Sequence, residues 1–330
     1  ITTFVGKTPT NVRLARRAYV VLHGRDRNGA TYWNIINKAY ASARGAGVTS
    51  DANSIRFAPN FLSTAEDAAV RKGSLMGWAD PDAWVGGDAP TAPGGTSGNI
   101  AAVFDAYLNA LADRSVYPNL DTVVFVGHGA GAQGIQRYAA LGQDSPRAGL
   151  ALRYVVANPS TNLYFTRDRP VPVDTGSCGW YNDFRYGLYN YASPYPLTLT
   201  ASSLFKRYMT RDVRYLVGDQ DTTATEGDQT CAGRAAGGPA RRDRNYDYWA
   251  YLHLLAGRSD VPSYPGLFPT LDPRSTKPRL AGTYPTTTAD TLAKFRTSAF
   301  NHQFAVVPGV AHSVSAMLES PEGLSAIFGN

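Results

Sequence analysis

The sequence predicts an α/β fold in which helices cover both faces of a mostly parallel central sheet. Short apolar runs recur along the chain, and most are followed by a segment whose apolar residues have helical spacing. Turns rich in glycine, proline or asparagine close these runs. With 43% hydrophobic residues in a chain of 330, the composition suffices for one large core, and neither a repeat nor a linker divides it. We therefore expect a single domain over residues 1–330.

The first elements are two strands, each followed by a helix. Residues 1–17 are polar and basic and suit an edge strand or an N-terminal arm. The continuous apolar run Ala18–Leu22 predicts a central buried strand. A helix is predicted behind it from the spacing of Trp33, Ile36 and Tyr40. Ser54–Ala58 predicts a second strand that ends before Pro59, and residues 65–72 are predicted to be helical.

The later elements continue the alternation of strands and helices. Their predicted strands are Val123–Val126, Leu152–Ala157, Val213–Val217 and Gln303–Val307. Their predicted helices are Ile100–Leu111, Ala132–Leu141, Tyr246–Leu255 and Val314–Phe328. Strands that alternate with helices in this way are typical of parallel sheets, whose neighbouring strands need crossover connections.

Two long segments do not fit this alternation. Residues 77–98 are rich in Gly, Pro, Asp and Ala, and we expect a loop that carries function or is mobile. Residues 160–209 are rich in proline and aromatic residues, including Tyr164, Phe165, Trp180, Tyr181, Phe184, Tyr186, Tyr189 and Tyr191. So many rings need apolar surroundings, which favours a packed structure over a peripheral surface loop.

A cluster of glycines follows the strand Val123–Val126. Residues 127–131 predict a sharp turn that leads directly into the next helix. This is the layout of a nucleophile elbow, Gly-x-Ser-x-Gly, in which the turn lifts the middle residue above the sheet at a helix N-terminus. The middle position holds Gly129.

At these residues the chain resembles the α/β-hydrolase superfamily. Gly127-His128 and Ala130-Gly131-Ala132-Gln133 are similar to the Gly-His-Ser-Ala-Gly-Gly-Gln turn of secreted esterases. The wider chain resembles the group of polyhydroxybutyrate depolymerases and feruloyl esterases. The resemblance implies an α/β-hydrolase fold, carboxylic-ester hydrolysis of the serine esterase type without a cofactor, and a cap over the site formed by residues 160–209.

A hydrolase of this type needs a histidine base and an acid beside the nucleophile position. His312 follows the last predicted strand, where the base belongs. The turn after Val213–Val217 offers two carboxylates, and the resemblance favours Asp221, with Asp219 as the alternative. The order nucleophile, acid, base along the chain is the hydrolase order.

Acyl transfer also needs two backbone N–H groups that point at the developing oxyanion. We expect one from Ala130, directly after the elbow position, and the other from Arg25, after the first core strand. The charged side chain of Arg25 could also face the pocket and pair with an anionic acyl group.

Glycine at position 129 admits three interpretations. The favoured one is an inactivated, substrate-trapping variant of a secreted esterase, in which serine has been replaced. The second is a natural binding protein on a non-catalytic hydrolase scaffold. The third is a site repurposed for chemistry without a covalent intermediate, such as a lyase or cyclase reaction.

Composition limits the other classes of function. The formal net charge is +6, but the positive residues are scattered and no nucleic-acid motif accompanies them, so we expect no nucleic-acid partner. No apolar run is long enough to span a membrane, and no metal site is indicated. We expect a monomer that acts on a small-molecule or polymeric ester.

The two cysteines, Cys178 and Cys231, both lie in polar, glycine-containing stretches. They are either two unrelated thiols or, as we favour, a disulfide that ties two loops together. The chain starts at Ile1 without a leader, which would fit the removal of a signal peptide or an artificially trimmed chain. Together these features predict a secreted protein.

The substrate contacts are predicted from the aromatic residues. Trp78 and Trp84 in the long loop, together with rings from residues 160–209, suggest a wide aromatic-lined cleft. The candidate substrate-binding residues are Trp84, Trp180, Tyr181 and Tyr186. The alternative is that most of these rings form the core of the cap.

Overall fold

The computed structural model describes residues 1–272, 274 and 287–329. Its strands are β1 (Thr2–Val5), β2 (Arg17–Leu22), β3 (Ser54–Asn60), β4 (Leu62–Ser63), β5 (Gly77–Trp78), β6 (Thr122–His128), β7 (Ala151–Ala157), β8 (Asp212–Gly218) and β9 (His302–Val307). Its α-helices are α1 (Gly29–Gly45), α2 (Ala83–Gly86), α3 (Ile100–Ala112), α4 (Ala130–Leu141), α5 (Ala201–Thr210), α6 (Cys231–Ala235), α7 (Arg241–Ala256), α8 (Ala289–Ala293), α9 (Val314–Leu318) and α10 (Pro321–Phe328).

A seven-stranded sheet runs through the protein in the order β1-β3-β2-β6-β7-β8-β9. All of its strand pairs are parallel except the edge pair of β1 with β3. Val20 of β2 lies opposite Phe57 of β3 on one side and Phe125 of β6 on the other. The mostly parallel sheet predicted from the apolar runs is confirmed, because strands covered on both faces are apolar at consecutive positions.

Consecutive residues of the central strands face opposite layers. Val20 and Phe125 belong to the core beneath α3 and α4, to which Phe104 and Ile135 contribute. Their neighbours Tyr19, Val21 and Val126 belong to a second core, which α1, α9 and α10 cover. The two cores follow from the two-residue period of a strand. Among the helices of the described residues, none combines the length and apolar character that a bilayer crossing requires.

Two predictions near the N-terminal edge of the sheet are wrong. β3 continues through Pro59 to Asn60, because β1 adds an antiparallel partner that extends the pairing to Thr2↔Asn60. Residues 65–72 form turns rather than a helix. Their polar side chains bond locally instead, and the Asp67 carboxylate accepts the Ser63 N–H at 2.6 Å.

Three further segments differ from the prediction. Residues 77–98 are not only loop, since they contain β5 and α2 and pair with β4. The predicted C-terminal helix is divided into α9 and α10, because Pro321 starts a new helix that the Ser320 side chain caps. Within residues 160–209, α5 forms after Thr200, whose side chain accepts the Ser203 N–H. The rest of that segment is irregular and lies outside the sheet, between β7 and β8 in the chain.

The predicted disulfide is present. Cys178 and Cys231 are bonded, with their Cα atoms 6.0 Å apart, and they join the irregular segment after β7 to the start of α6. We expect the double variant Cys178→Ser/Cys231→Ser to lose on the order of 2–5 kcal/mol of unfolding free energy, because the unfolded chain regains the freedom of a closed loop. Denaturant titration without reductant measures the loss. Two free thiols counted by mass spectrometry of the unreduced parent protein would contradict this pairing.

Helix α7 carries a buried carboxyl group, Asp247, that has no cationic partner among the described residues. One oxygen accepts the Gly266 N–H at 2.7 Å, and the other has no hydrogen-bond partner in the described chain. Burial raises the pKa of Asp247 to about 7. Asp247 is therefore protonated in the folded protein under conditions in which the unfolded chain has already lost the proton.

The unfolding free energy should therefore depend on pH through Asp247. Between about pH 4 and pH 7 the folded state holds a proton that the unfolded state has released, so this group's contribution falls by about 1.4 kcal/mol per pH unit as the pH rises. Asp247→Asn should remove that decline and make the protein more stable than the parent at pH 8. The measurement is urea unfolding of both proteins at pH 5 and pH 8. If the difference in unfolding free energy between Asp247→Asn and the parent protein is the same at both pH values, the prediction is wrong.

Candidate active site

The elbow lies between the end of β6 and the start of α4. Gly129 has φ 58° and ψ −118°, a backbone conformation that residues with side chains rarely adopt. Its N–H donates to the carbonyl of Ala157 at 2.9 Å, which ties the turn to the end of β7. The chain therefore reverses sharply at position 129, and any side chain there would stand at the N-terminus of α4.

The glycines on either side of the elbow are required by close packing. A Cβ on Gly127 would lie 2.5 Å from the carbonyl carbon and oxygen of Gly131. A Cβ on Gly131 would lie 2.5 Å from the His23 carbonyl oxygen and 2.7 Å from that of Leu22. Only glycine lets α4 start this close to β2, so the Gly-x-x-x-Gly spacing has a steric cause.

His312 and Asp221 converge on the elbow. The Nδ1 atom of His312 lies 2.8 Å from Oδ2 of Asp221. An ideal Cβ built on Gly129 would lie 3.0 Å from Nε2 of the same ring. In space, position 129, His312 and Asp221 therefore lie side by side in that order. A nucleophile, a base and an acid need the same arrangement.

Arg241 at the start of α7 fixes the Asp221 carboxylate. Its Nε atom donates to both carboxylate oxygens, at 3.0 and 3.1 Å, and its guanidinium also pairs with Glu226 at 2.9 Å. Burial alone would raise the pKa of Asp221, but the hydrogen bonds from His312 and Arg241 outweigh it and hold that pKa below its ordinary value. Asp221 therefore stays ionised beside His312.

Asp219, the alternative acid, has a different contact. Its Oδ1 atom accepts the N–H of Gly309 at 2.7 Å, in the turn that follows β9. This contact matches the turn-capping role that short acidic side chains often have. Of the two carboxylates in this turn, the structure brings Asp221 to His312.

Asn158 was not predicted from the sequence, yet it joins the turns that carry Asp221 and His312. Its side chain accepts the Gly218 N–H at 2.8 Å and donates to the Ala311 carbonyl at 3.0 Å. Its φ of 45° is uncommon outside glycine. The only sequence signal was an asparagine before proline at the end of a strand, which marks a turn but not its partners.

Two neutral histidines surround the site. His128 is buried with its ring centroid 4.5 Å from that of His312, and burial followed by the nearness of His312 lowers its pKa well below the usual value. His23 accepts the Phe61 N–H at Nε2, so its Nδ1 donates to the Gly24 carbonyl. Burial lowers the pKa of His23 to about 4. Both rings therefore shape the turns without adding positive charge next to His312.

The predicted oxyanion donors lie at the same cavity. Arg25 and Ala130 both line it together with Gly129 and His312. Neither backbone N–H has an acceptor within the described part of the chain. The Arg25 side chain is 76% exposed and pairs with Asp82 at 3.0 Å. Both N–H groups are therefore free to bind an oxygen of a ligand.

Solved structures of hydrolases resemble this architecture. LpqC, a poly(3-hydroxybutyrate) depolymerase from Bordetella parapertussis, aligns with a TM-score of 0.57 at 21% identity, covering 96% of this chain and 79% of that one. The chain has the α/β-hydrolase fold. Poly(aspartic acid) hydrolase-1 from Sphingomonas sp. KT-1 aligns with a TM-score of 0.51 at 18% identity, covering 92% of this chain and 85% of that one. No family model and no curated protein matches the sequence.

The α/β-hydrolase fold explains why three distant segments meet. In this fold the nucleophile, acid and base positions follow separate strands at the carboxyl edge of the sheet. Here Gly129 follows β6, Asp221 follows β8 and His312 follows β9. The predicted fold class is confirmed, including clusters of aromatic side chains outside the sheet.

The cavity above the elbow has a volume of about 760 Å³, within the range of ligand sites. Its wall combines apolar surface with polar and charged side chains, which include Arg25, Gln133, Ser160, Arg185, Tyr186, Glu226, Asp228 and Arg241. Two of its sides are the segments that the Cys178–Cys231 disulfide joins. A ligand in this cavity would therefore contact charged and polar side chains as well as apolar surface, rather than the mainly aromatic wall that the sequence suggested.

Of the four predicted substrate-binding rings, only Tyr186 lines the cavity. Trp84 is fully buried against His23, with ring centroids 4.7 Å apart, and it belongs to the core. Tyr181 is buried as well, whereas Trp180 is 42% exposed outside the cavity wall. Sequence pattern identified these rings as a group but could not distinguish rings that pack inward from rings that face a ligand.

Proposed function

We propose that the chain carries the site of a carboxylic-ester hydrolase without its nucleophile, so that it binds an ester or lactone with little or no turnover. The observation that carries this proposal is the alignment of Gly129 with His312 and Asp221. A side chain at position 129 would begin 3.0 Å from Nε2 of His312, whose Nδ1 is held by Asp221 at 2.8 Å. This is the arrangement in which an imidazole removes a proton from a hydroxyl group.

With a serine at position 129, the proposed chemistry gives each group of the site a role. A serine hydroxyl at position 129 attacks the acyl carbon while Nε2 of His312 takes its proton. Asp221 keeps the imidazole in the correct tautomer and stabilises the imidazolium that forms. The N–H groups of Ala130 and Arg25 receive the negative charge on the carbonyl oxygen. His312 then returns the proton to the departing alkoxide, and water releases the acyl group by the same steps.

With glycine at position 129 no acyl-enzyme can form there. The remaining groups still bind and orient the ester, so the chain acts as a substrate trap or as a binding protein. The disulfide fits an oxidising compartment, and we propose secretion. The proposed ligand is a small-molecule or polymeric ester. We propose that the protein binds it as a monomer.

A second candidate function is hydrolysis by direct attack of water. The observation that favours it is that Nε2 of His312 faces the position above Gly129, beside a cavity large enough for a ligand. His312 would then remove the proton from water instead of serine. In this case the protein with Gly129 hydrolyses the ester slowly, and His312→Ala abolishes that activity. A pure binding protein would show no hydrolysis.

The experiment that tests the main proposal is the introduction of serine at position 129 and assay with an activated ester such as 4-nitrophenyl acetate. A folded Gly129→Ser protein that shows no turnover of any activated ester would refute the esterase proposal.

A further inference from the structure

The cavity wall contains an arginine, Arg185, that forms no ion pair within the described residues. Arg25 pairs with Asp82, and Arg241 pairs with Asp221 and Glu226. Arg185 lines the same cavity, and no carboxylate of the described residues lies within 4.0 Å of its guanidinium nitrogens. A half-buried cation without a partner is costly to desolvate, which makes this position favourable for an anionic ligand.

A hydrogen bond and close packing hold the Arg185 side chain in place, without an ion pair. One nitrogen, Nη1, donates to the backbone carbonyl of Asp82 at 3.1 Å. Its Cδ atom lies so close to Gly86 that a Cβ there would approach within 2.9 Å. The remaining nitrogens, Nε and Nη2, have no acceptor among the described residues. A guanidinium fixed in this way can bind both oxygens of a carboxylate with little loss of side-chain freedom.

A second arginine lies directly behind Arg185. Arg137 is only 4% exposed, and its Nε donates to the Arg185 carbonyl at 3.1 Å. Its other hydrogen bonds go to the Val85 carbonyl and the Thr161 hydroxyl, without a carboxylate. Burial, followed by the nearness of Arg185, lowers the pKa of Arg137 to about 9, so it stays protonated at neutral pH.

The cavity wall also carries carboxylates, but none of those in the described residues occupies the Arg185 guanidinium. Asp88 and Asp228 influence these arginines electrostatically, but neither forms an ion pair with them. Asp228 is already occupied by the Tyr186 hydroxyl at 2.6 Å and by Thr230. An anion placed at Arg185 would relieve the repulsion between the two neighbouring guanidinium groups.

We propose that Arg185 binds a carboxylate carried by the ligand, so that the cleft selects esters with a second, free carboxylate. A half-ester of a dicarboxylic acid or the acid end of an oligomeric ester has this chemistry. The inference rests on the proposed ester-binding function and names the substrate class of the same site. It assigns the anion contact to Arg185 rather than to Arg25, because the Arg25 side chain is exposed and already paired.

The test uses the protein with Gly129 in place, so that it does not depend on catalysis. The two probes are monobenzyl succinate and benzyl succinamate, which differ only in a carboxylate against a neutral amide of nearly equal shape. Binding is measured by calorimetry at neutral pH and low salt. We expect the carboxylate probe to bind at least about tenfold more tightly, since hydrogen bonds to charged groups contribute more than neutral ones.

Three variants identify the group responsible. Arg185→Gln should abolish the preference for the carboxylate probe, whereas Arg185→Lys should keep part of it. Arg167→Gln is the matched control, because it removes one positive charge from the same segment outside the cavity wall. Its preference should equal that of the parent.

Three outcomes overturn the proposal. These are equal affinity for the two probes, a preference that survives in Arg185→Gln, and failure of both probes to bind. Turnover by Gly129→Ser would still support the ester-hydrolase proposal in each of these cases, so the two proposals fail separately.

Discussion

Gly129→Ser is expected to raise kcat/KM for 4-nitrophenyl acetate by about 10⁴-fold or more, the range over which a positioned nucleophile and base act together. The gain arises because His312, Asp221 and the two free N–H groups are already in place. An added Cβ would lie 3.0 Å from Nε2 of His312, so the ring must shift by a few tenths of an ångström. The His312 ring is only half-buried, so one side of it faces solvent rather than packed protein.

Two controls separate catalysis from a change in folding. Gly129→Ala adds the same Cβ and the same backbone strain at positive φ, but it has no hydroxyl group. Gly129→Ser/His312→Ala keeps the hydroxyl and removes the base. We expect both to hydrolyse the ester no faster than the parent chain. If Gly129→Ser is folded but no faster than Gly129→Ala, the assignment of position 129 as the nucleophile position is wrong.

Asp221→Asn in the Gly129→Ser protein is expected to lower kcat by about 10³- to 10⁴-fold, because asparagine favours the wrong tautomer of the histidine. The buried Arg241 would also lose its carboxylate partner, so the thermal midpoint must be measured alongside the rate. Asp219→Asn is the matched control, since it changes a carboxylate two residues away that only caps a turn. Equal losses in the two variants would contradict the assignment of Asp221 as the acid.

The sheet and the elbow could be predicted because their causes are local in the sequence. The runs Ala18–Leu22 and Val123–Val126 are apolar at every position, as strands buried on both faces require. Gly127 and Gly131 are spaced by the steric demands of one turn. His312 was predicted because it follows the last strand, whereas the turn after β8 offered both Asp219 and Asp221 and only the family resemblance favoured Asp221.

The cleft wall could not be predicted, because it depends on contacts between distant segments. Arg241 belongs to a short run of basic residues that is typical of a solvent-exposed surface. Its side chain is nevertheless buried against the Asp221 carboxylate. Trp84 lies in a polar stretch but packs into the core. Asn158 contacts residues on two other turns, which no local pattern encodes. Residue type alone gives neither the direction of a side chain nor its partner.

The most direct test of the central claim is covalent labelling at position 129. Gly129→Ser protein is treated with a fluorophosphonate, and the adduct is located by intact mass and peptide mapping. We predict one adduct on the introduced serine, and none in the parent chain or in Gly129→Ser/His312→Ala, because phosphonylation requires the base and the oxyanion donors. A folded Gly129→Ser protein that remains unlabelled, or that is labelled at a different residue, would contradict the account.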